Sequence, residues 1–553
     1  MFPRNFFLEN LSRFVFLLAG TMACLGLVMI VIGYPAPLWL PKFLGVKSIR
    51  KIFQLLFLLS AAGIVIHPKR KEWLERFFLF LKTASQGWKG ITALILVYSL
   101  LFLWNQLTAY WSVNINFIPF SFYNYMLYYF WLGKINYTAL LHGFYHSNYI
   151  LYCLAPLWLL FKNSLVLVVV HGPILALGAL PIFLITQRLF RNSWIPLALS
   201  FFYLNSRYLL NLLEMDFLVE SFYPFLICFI FYFLLSGRRI AFLVSTLLVL
   251  LLKEDASFYM LALGFFLLFV RSRRTYGVGM MILAVSYAFI LVKVLLPILG
   301  SDILAGSARN FKATGSNPAE VLRYHLTHPL IYFQYLFWPS TKLQTILKLL
   351  TSTFFLPLLS PWCLLVLVAL LPPFAQGDIN FVNLRFHYSA VVIPFLFFAF
   401  LKGFQNLYEF LEKYRSREFL LRILIFLLIT ITGGNYLSHS LTSFKLDTIR
   451  EVSKIPPQAV VVTQGHLLPY IGYRAYNFYI AGPYERGRGR EDNIYKKYYN
   501  ADYYFIARSV DSYPYDRSWM EKKIEQLKRD PQLELIYDDG EKVLLKRKEG
   551  MQE

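Results

Sequence analysis

Two short acidic runs interrupt otherwise apolar sequence, and they are the first places where this chain could do chemistry. Leu213-Glu214-Met215-Asp216-Phe217-Leu218-Val219-Glu220 sets Asp216 and Glu220 four apart, on one face if a helix has begun by then. Lys253-Glu254-Asp255 falls between two apolar runs at the same expected depth. Ionisable groups at membrane depth are costly, so they are kept for function or as ion pairs and caps at a tight turn, and both readings stand at this point. A second set is cationic and aromatic. Arg385-Phe386-His387-Tyr388 opens a later apolar run, and Arg309, Lys312, Arg323, His325 and His328 populate the polar stretch before it. Arginine offers a bidentate fork to a phosphate and histidine a neutral or cationic donor; for each residue the alternative is snorkelling to the membrane interface. His142 and His146 have no acid or cysteine close in sequence to complete a metal set, so a solvated or hydrogen-bonded imidazole is expected there.

The elements that must hold these groups are membrane helices. Of the 553 residues 58% are hydrophobic and 15% charged, more apolar surface than a soluble domain can bury. Seventeen of the 31 acids follow residue 437, so two physical regimes share the chain. Apolar runs near 13–33, 51–66, 91–110, 165–187, 194–212, 217–236, 239–252, 256–271, 277–299, 344–358, 359–373, 387–402 and 419–437 give about thirteen spans. The first run lacks a small-x-small cleavage site and reads as a retained signal anchor. Basic clusters at Lys69 to Lys82, Arg188 and Arg191, Arg238 and Arg239, Arg271 to Arg274 and Lys402 to Arg417 all fall inside if the N-terminus is cytoplasmic. Lys42, Lys47, Arg50 and Lys51 then fall outside, against the rule. The run at 149–161 is expected to lie as a helix on the external surface, which leaves two long external loops, 111–164 and 300–343.

After residue 437 the pattern becomes that of a soluble α/β unit, 438–553, expected on the external side. Ala459 to Thr463, Tyr503 to Ala507, Leu533 to Tyr537 and Lys542 to Lys546 read as strands, with a hairpin at Asp538-Asp539-Gly540 and a helix over 518–529. Gly482, Gly487 and Gly489 have the wrong spacing for a dinucleotide-binding fingerprint. The net charge of +23 is spread in clusters between apolar runs, which fits membrane orientation and excludes a nucleic-acid face. Cys24, Cys153, Cys228 and Cys363 all lie in apolar stretches and suggest neither disulfides nor zinc.

His146 with Leu154-Ala155-Pro156-Leu157, then Leu177-Gly178-Ala179-Leu180-Pro181, Asp216-Phe217 with Glu220, and Leu252-Lys253-Glu254-Asp255 occur in an order that is familiar. His387-Tyr388 with Ile393-Pro394-Phe395-Leu396, and Ile455-Pro456-Pro457 leading to Ala501-Asp502-Tyr503, continue it. In this set, over about 120–510, the chain resembles the membrane proteins grouped as domain of unknown function, family twenty seventy-nine, related distantly to the GT-C class of lipid-linked sugar transferases. The resemblance implies an all-α, GT-C-like polytopic architecture whose first external loop and surface helices form a cavity for a polyprenyl-phosphate sugar. It also implies a catalytic acid in that loop, and here the chain departs from the pattern. No Asp or Glu lies between Tyr110 and Asn163, and Tyr145 precedes His146.

Glycosyl transfer from a lipid phosphate needs a base for the acceptor hydroxyl and cations for the departing phosphate. Asp216, Glu220, Glu254 and Asp255 are the candidate catalytic acids; Lys253, Arg385, His387, Tyr388, His146 and Arg323 are the candidate substrate-binding residues. A divalent cation is compatible with such chemistry, but no motif indicates a metal or cofactor. The expected partners are membrane lipid and a polyprenyl-phosphate sugar donor. A non-catalytic membrane protein or a transporter of lipid-linked or envelope components is the competing reading, in which the same charges line a passage or hold helices together.

Overall fold

In the computed structural model the chain is described over residues 66–115, 146–161, 164–190, 194–295, 318–375, 379–411, 417–433, 445–456, 458–471, 477–479, 500–510 and 516–548, with isolated positions elsewhere. The expected first span, apart from isolated positions, lies outside the described residues, as do the cations at 42–51 and the loop at 482–492. His142, Asp302, Arg309, Lys312 and Asp378 lie outside them too.

The described chain is mostly helical, and four helices are long and apolar enough to cross a membrane: Lys89–Trp111, Leu165–Leu189, Val219–Ser236 and Arg271–Leu295. The pair Ile379–Ser389 and Val392–Leu411, bent by 80°, passes the same test jointly. Other apolar runs form shorter helices, among them Ile195–Leu204, Arg239–Leu250, Ala256–Phe269 and Cys363–Ala375. The bundle is therefore multi-pass in outline, with several elements shorter than the runs read from sequence. One reason is visible at 194–212, which is two helices, Ile195–Leu204 and Arg207–Leu213. Asn205 Nδ2 donates to the Phe201 carbonyl at 2.9 Å and to the Tyr98 hydroxyl, an alternative to helical continuation that asparagine is built to offer.

Burial follows helical spacing. Arg274–Ile290 buries Tyr276, Met280, Ala284 and Tyr287 on one side and exposes Val278, Ile282, Val285 and Phe289 on the other. Lys89–Trp111 likewise exposes Leu96, Leu100 and Trp104. Outward apolar stripes of this kind suit lipid, which solvates them without penalty. Inside, close helix approach depends on a glycine pair. A Cβ on Gly277 would stand 2.6 Å from the Gly264 carbonyl oxygen, and one on Gly264 would stand 3.0 Å from the Gly277 oxygen. Ala256–Phe269 and Arg274–Ile290 thus pack backbone to backbone, as small residues allow in membrane bundles.

The C-terminal part forms a five-stranded sheet in the order β2-β1-β3-β5-β4, with β1 Val461–Thr463, β2 Asn477–Tyr479, β3 Tyr503–Ala507, β4 Leu533–Asp538 and β5 Lys542–Arg547. β1 runs parallel to β2 and β3, while β5 runs antiparallel to β3 and β4. The β4–β5 turn is fixed by Gly540 at φ +84° and by Asp539 Oδ1, which accepts from the Glu541 and Lys542 amides at 2.9 and 2.6 Å. Helix Arg517–Lys528 starts at an Asp516 cap and buries Met520, Ile524 and Leu527 in a core shared with the sheet. The sheet also joins the helical bundle. Ser164 Oγ donates to the Pro469 carbonyl at 2.9 Å, the Tyr470 hydroxyl donates to the Tyr110 carbonyl, and Val461 and Phe505 belong to the bundle's core.

Candidate functional site

Three separate stretches of chain bring charge to one place. The first is a single 3-10 turn, Val219–Ser221, which carries Glu220 into the helix Phe222–Ser236. The second is the turn between Arg239–Leu250 and Ala256–Phe269, where Leu252 to Asp255 leave the helical path and Asp255 becomes the residue before the next helix. The third is the 3-10 turn Phe386–Ser389, ahead of the 80° bend into Val392–Leu411. Leu384 and Phe386 both have positive φ, 51° and 58°, a region that side-chain-bearing residues adopt only when surrounding structure imposes it. This strained approach delivers His387.

Lys253 Nζ donates to Glu220 Oε1 at 2.8 Å, and His387 Nε2 lies 3.8 Å from the same oxygen. Glu220 and Lys253 are buried, with 6% and 11% of their side chains exposed, so the pair is desolvated and not a surface bridge. The second oxygen of Glu220, Oε2, is buried without a hydrogen-bond partner. The neighbouring acids are held differently. His146 Nδ1 is 2.6 Å from Glu254 Oε1, and the Ser147 amide donates to Glu254 Oε2 at 3.2 Å. Asp255 Oδ1 instead accepts from the Tyr223 hydroxyl at 3.0 Å. Burial pushes the Glu254 carboxyl up, but His146 and Lys253 outweigh it and bring it to about 2. Burial also raises Asp255; the Glu254 and Glu220 charges add to this, Lys253 and the Tyr223 hydrogen bond only partly offset it, and the group lies at about 6. Lys253 is held charged, well above its ordinary value, because three carboxylates outweigh the cost of burying its ammonium.

Of the residues singled out from sequence, Glu220, Lys253, Glu254, Asp255, His146 and His387 thus come together. Tyr388 is adjacent, stacked on Phe381 with ring centres 4.0 Å apart. Arg385 caps the His387 turn with its side chain exposed. The contacts just described do not include Asp216 or Arg323. Residues 216–218 belong to no helix, and Leu218 is extended at φ −135° and ψ 142°, so Asp216 and Glu220 do not share a helical face. Asp216 is buried and acts electrostatically on Tyr470 of the C-terminal part. Arg323 is exposed on the helix Pro318–Thr327. Sequence reasoning passed over Tyr223 and Ser147; a tyrosine in an apolar run and a serine in a polar loop carry no signal until the fold brings them to a carboxylate. The described residues contain no group of three or more His, Cys, Asp or Glu arranged to hold a metal ion.

A family model described as predicted membrane protein, DUF2079, matches residues 137–538. No curated protein matches the chain. Among solved structures, that of ArnT from Cupriavidus metallidurans bound to undecaprenyl phosphate is 11% identical, with a TM-score of 0.46, over 83% of this chain and 98% of that one. The apo structure of the same protein is 12% identical, with a TM-score of 0.34, over 81% of this chain and 97% of that one.

Proposed function

The chain belongs to the DUF2079 family of predicted membrane proteins, and from that premise we propose that it is a membrane glycosyltransferase of the GT-C type, moving a sugar from a polyprenyl-phosphate donor on the external face. The observation that carries this reading is the convergence of the buried Glu220 and Lys253 with His387, beside Glu254 and Asp255. Chain-adjacent carboxyls whose surroundings separate their protonation are the arrangement from which acid and base roles are drawn. Asp255, at about 6, is the group suited to accept a proton near neutral pH. In the proposed step Asp255 takes the acceptor hydroxyl's proton as that oxygen bonds to the anomeric carbon. The bond from that carbon to the phosphate oxygen breaks, and the lipid phosphate leaves with the electron pair. Lys253 and the exposed Arg385 supply the positive potential that holds it, and His387 offers a neutral hydrogen-bond donor beside them. Glu254, kept ionised by His146 and Lys253, stabilises the positive charge that builds on the sugar ring.

External placement of residues 438–553, and a cytoplasmic N-terminus, belong to the same proposal. The basic residues Arg238, Arg239, Arg271, Arg273 and Arg274 stand at helix ends away from the acidic turn, as retention of cations on the cytoplasmic side requires. The deciding experiment is lipid extraction from the purified full chain followed by mass spectrometry. Polyprenyl phosphate enriched over bulk membrane lipid, and depleted in Arg385→Gln, is the expected result. Its reproducible absence would leave a charge cluster that merely ties helices together.

A further inference from the structure

Resting on the transferase reading above, we infer that Ser147, Asn148, Tyr149 and Tyr287 form a subsite for a neutral, polyhydroxylated ring, the sugar of the donor, beside Glu254. Each of the four has buried polar atoms without a hydrogen-bond partner: Ser147 Oγ, both amide atoms of Asn148, and the hydroxyls of Tyr149 and Tyr287. Ser147 is 2% exposed, Asn148 1% and Tyr287 7%. Buried polar side chains are nearly always paired, so a local concentration of unpaired ones marks a place where something else supplies the partners.

The four groups are tied to one location. The Ser147 amide binds Glu254, and the Ile150 amide donates to the Leu251 carbonyl at 3.0 Å, which seats this segment on the turn leading to Lys253. Tyr149 and Tyr287 interact electrostatically with each other and with Glu254. The Ser147 and Tyr287 hydroxyls approach one another without closing a hydrogen bond. Tyr287 reaches the place because the Gly264–Gly277 crossing holds its helix against the one that follows Asp255.

The chemistry of the set selects its ligand. Three hydroxyls and one carboxamide provide donors and acceptors in mixture and bring no charge, which matches the hydroxyls of a sugar. A phosphate would require a cation, and Lys253 sits on Glu220 instead, with the His387 ring beside the same oxygen. The two ends of a sugar phosphate are thus divided, the neutral end at the tyrosines and the anionic end at the lysine and histidine.

The test is saturation-transfer NMR on the full chain in lauryldimethylamine oxide, whose headgroup is not a sugar, with D-glucose, D-mannose, D-galactose and N-acetyl-D-glucosamine as probes. At least one monosaccharide receives saturation, and Asn148→Ala and Tyr287→Phe each weaken its binding roughly three- to ten-fold, the span of one lost hydrogen bond. Gel filtration and circular dichroism report folding; Ser147→Ala, the smallest change, carries the test should the others fail to fold. No saturation of any sugar, or binding unchanged in the folded variants, overturns the inference and leaves these groups to ordered water. Polyprenyl-phosphate binding measured in parallel separates the two ideas. Asn148-dependent sugar binding without lipid-phosphate binding removes the transferase reading alone, whereas lipid-phosphate binding without sugar binding removes the subsite alone.

Discussion

Glu254 and Asp255 are chain neighbours of one chemical type, yet the first faces an imidazole and the second a phenol. That difference is testable through pH. Burial raises the Asp255 carboxyl to about 6, so in the proposed role as base it is protonated and inactive below that value and ionised above it. Transfer measured from pH 5 to 8 is therefore expected to rise with unit slope toward pH 6 and level off above 7. Asp255→Asn is expected to lower kcat by about 10² to 10⁴ and abolish the rise, with donor binding retained. Lys253 and Glu220 make a separate case. Lys253→Met strands a buried carboxylate and is expected to cost about 3–5 kcal/mol in thermal or denaturant unfolding, whereas Lys253→Met combined with Glu220→Gln recovers most of it. If the single and double variants unfold alike, the pair is not the desolvated unit described here. The Lys253-Glu254-Asp255 turn was legible in sequence because charges between apolar runs announce themselves. The shared face expected of Asp216 and Glu220 was conditional on a helix, since four-residue spacing counts only inside one, and this stretch enters no helix until Val219.

Helices and strands were legible where their residues alternate or repeat over enough length. The strands Tyr503–Ala507, Leu533–Asp538 and Lys542–Arg547 and the helix Arg517–Lys528 lie within a residue or so of their expected places. The strand Asn477–Tyr479 is only three residues long and gave no pattern. The helix crossing at Gly264 and Gly277 was invisible for another reason, since glycine in an apolar run does not reveal which helix it meets. Its contribution can be measured. Gly277→Val forces a side chain against the Gly264 backbone and is expected to cost about 1–3 kcal/mol, while Gly279→Ala, whose Cβ meets only Leu243 at an ordinary 3.4 Å, is expected to be neutral or mildly stabilising. In the sheet, Arg508 holds Asp538 with two bonds of 2.8 and 3.1 Å and also reaches Glu521. This keeps the Asp538 carboxyl well below its usual range, so the stabilisation is present above the unfolded value and fades as pH falls through the acid range. Arg508→Ala is expected to cost about 1.5–3 kcal/mol at pH 7, with the gap to the parent closing toward pH 2 in acid titrations followed by tyrosine and tryptophan fluorescence.

Along the helices that flank the acidic turn, the arginines stand at the ends away from Glu220, Glu254 and Asp255. From Glu220 the chain runs along Phe222–Ser236 to Arg238 and Arg239, returns along Arg239–Leu250 to Lys253, and leaves again along Ala256–Phe269 to Arg271 and Arg273. With the native cysteines replaced, a single cysteine at Arg239 and one at Lys542 are expected to react with a membrane-impermeant maleimide from opposite sides of sealed vesicles; labelling from one side would reverse the proposed placement of the C-terminal sheet. The return and departing helices hold 12 and 14 residues, roughly 18–21 Å of rise against about 30 Å of hydrocarbon. In the proposed orientation, with their arginine ends anchored at the cytoplasmic headgroups, the Lys253 turn stops short of the opposite leaflet's surface. The bilayer must then thin locally or a lipid headgroup must sink to meet it. On the transferase proposal, turnover is expected to climb as acyl chains are shortened in reconstituted liposomes, with hydrophobic mismatch as its control.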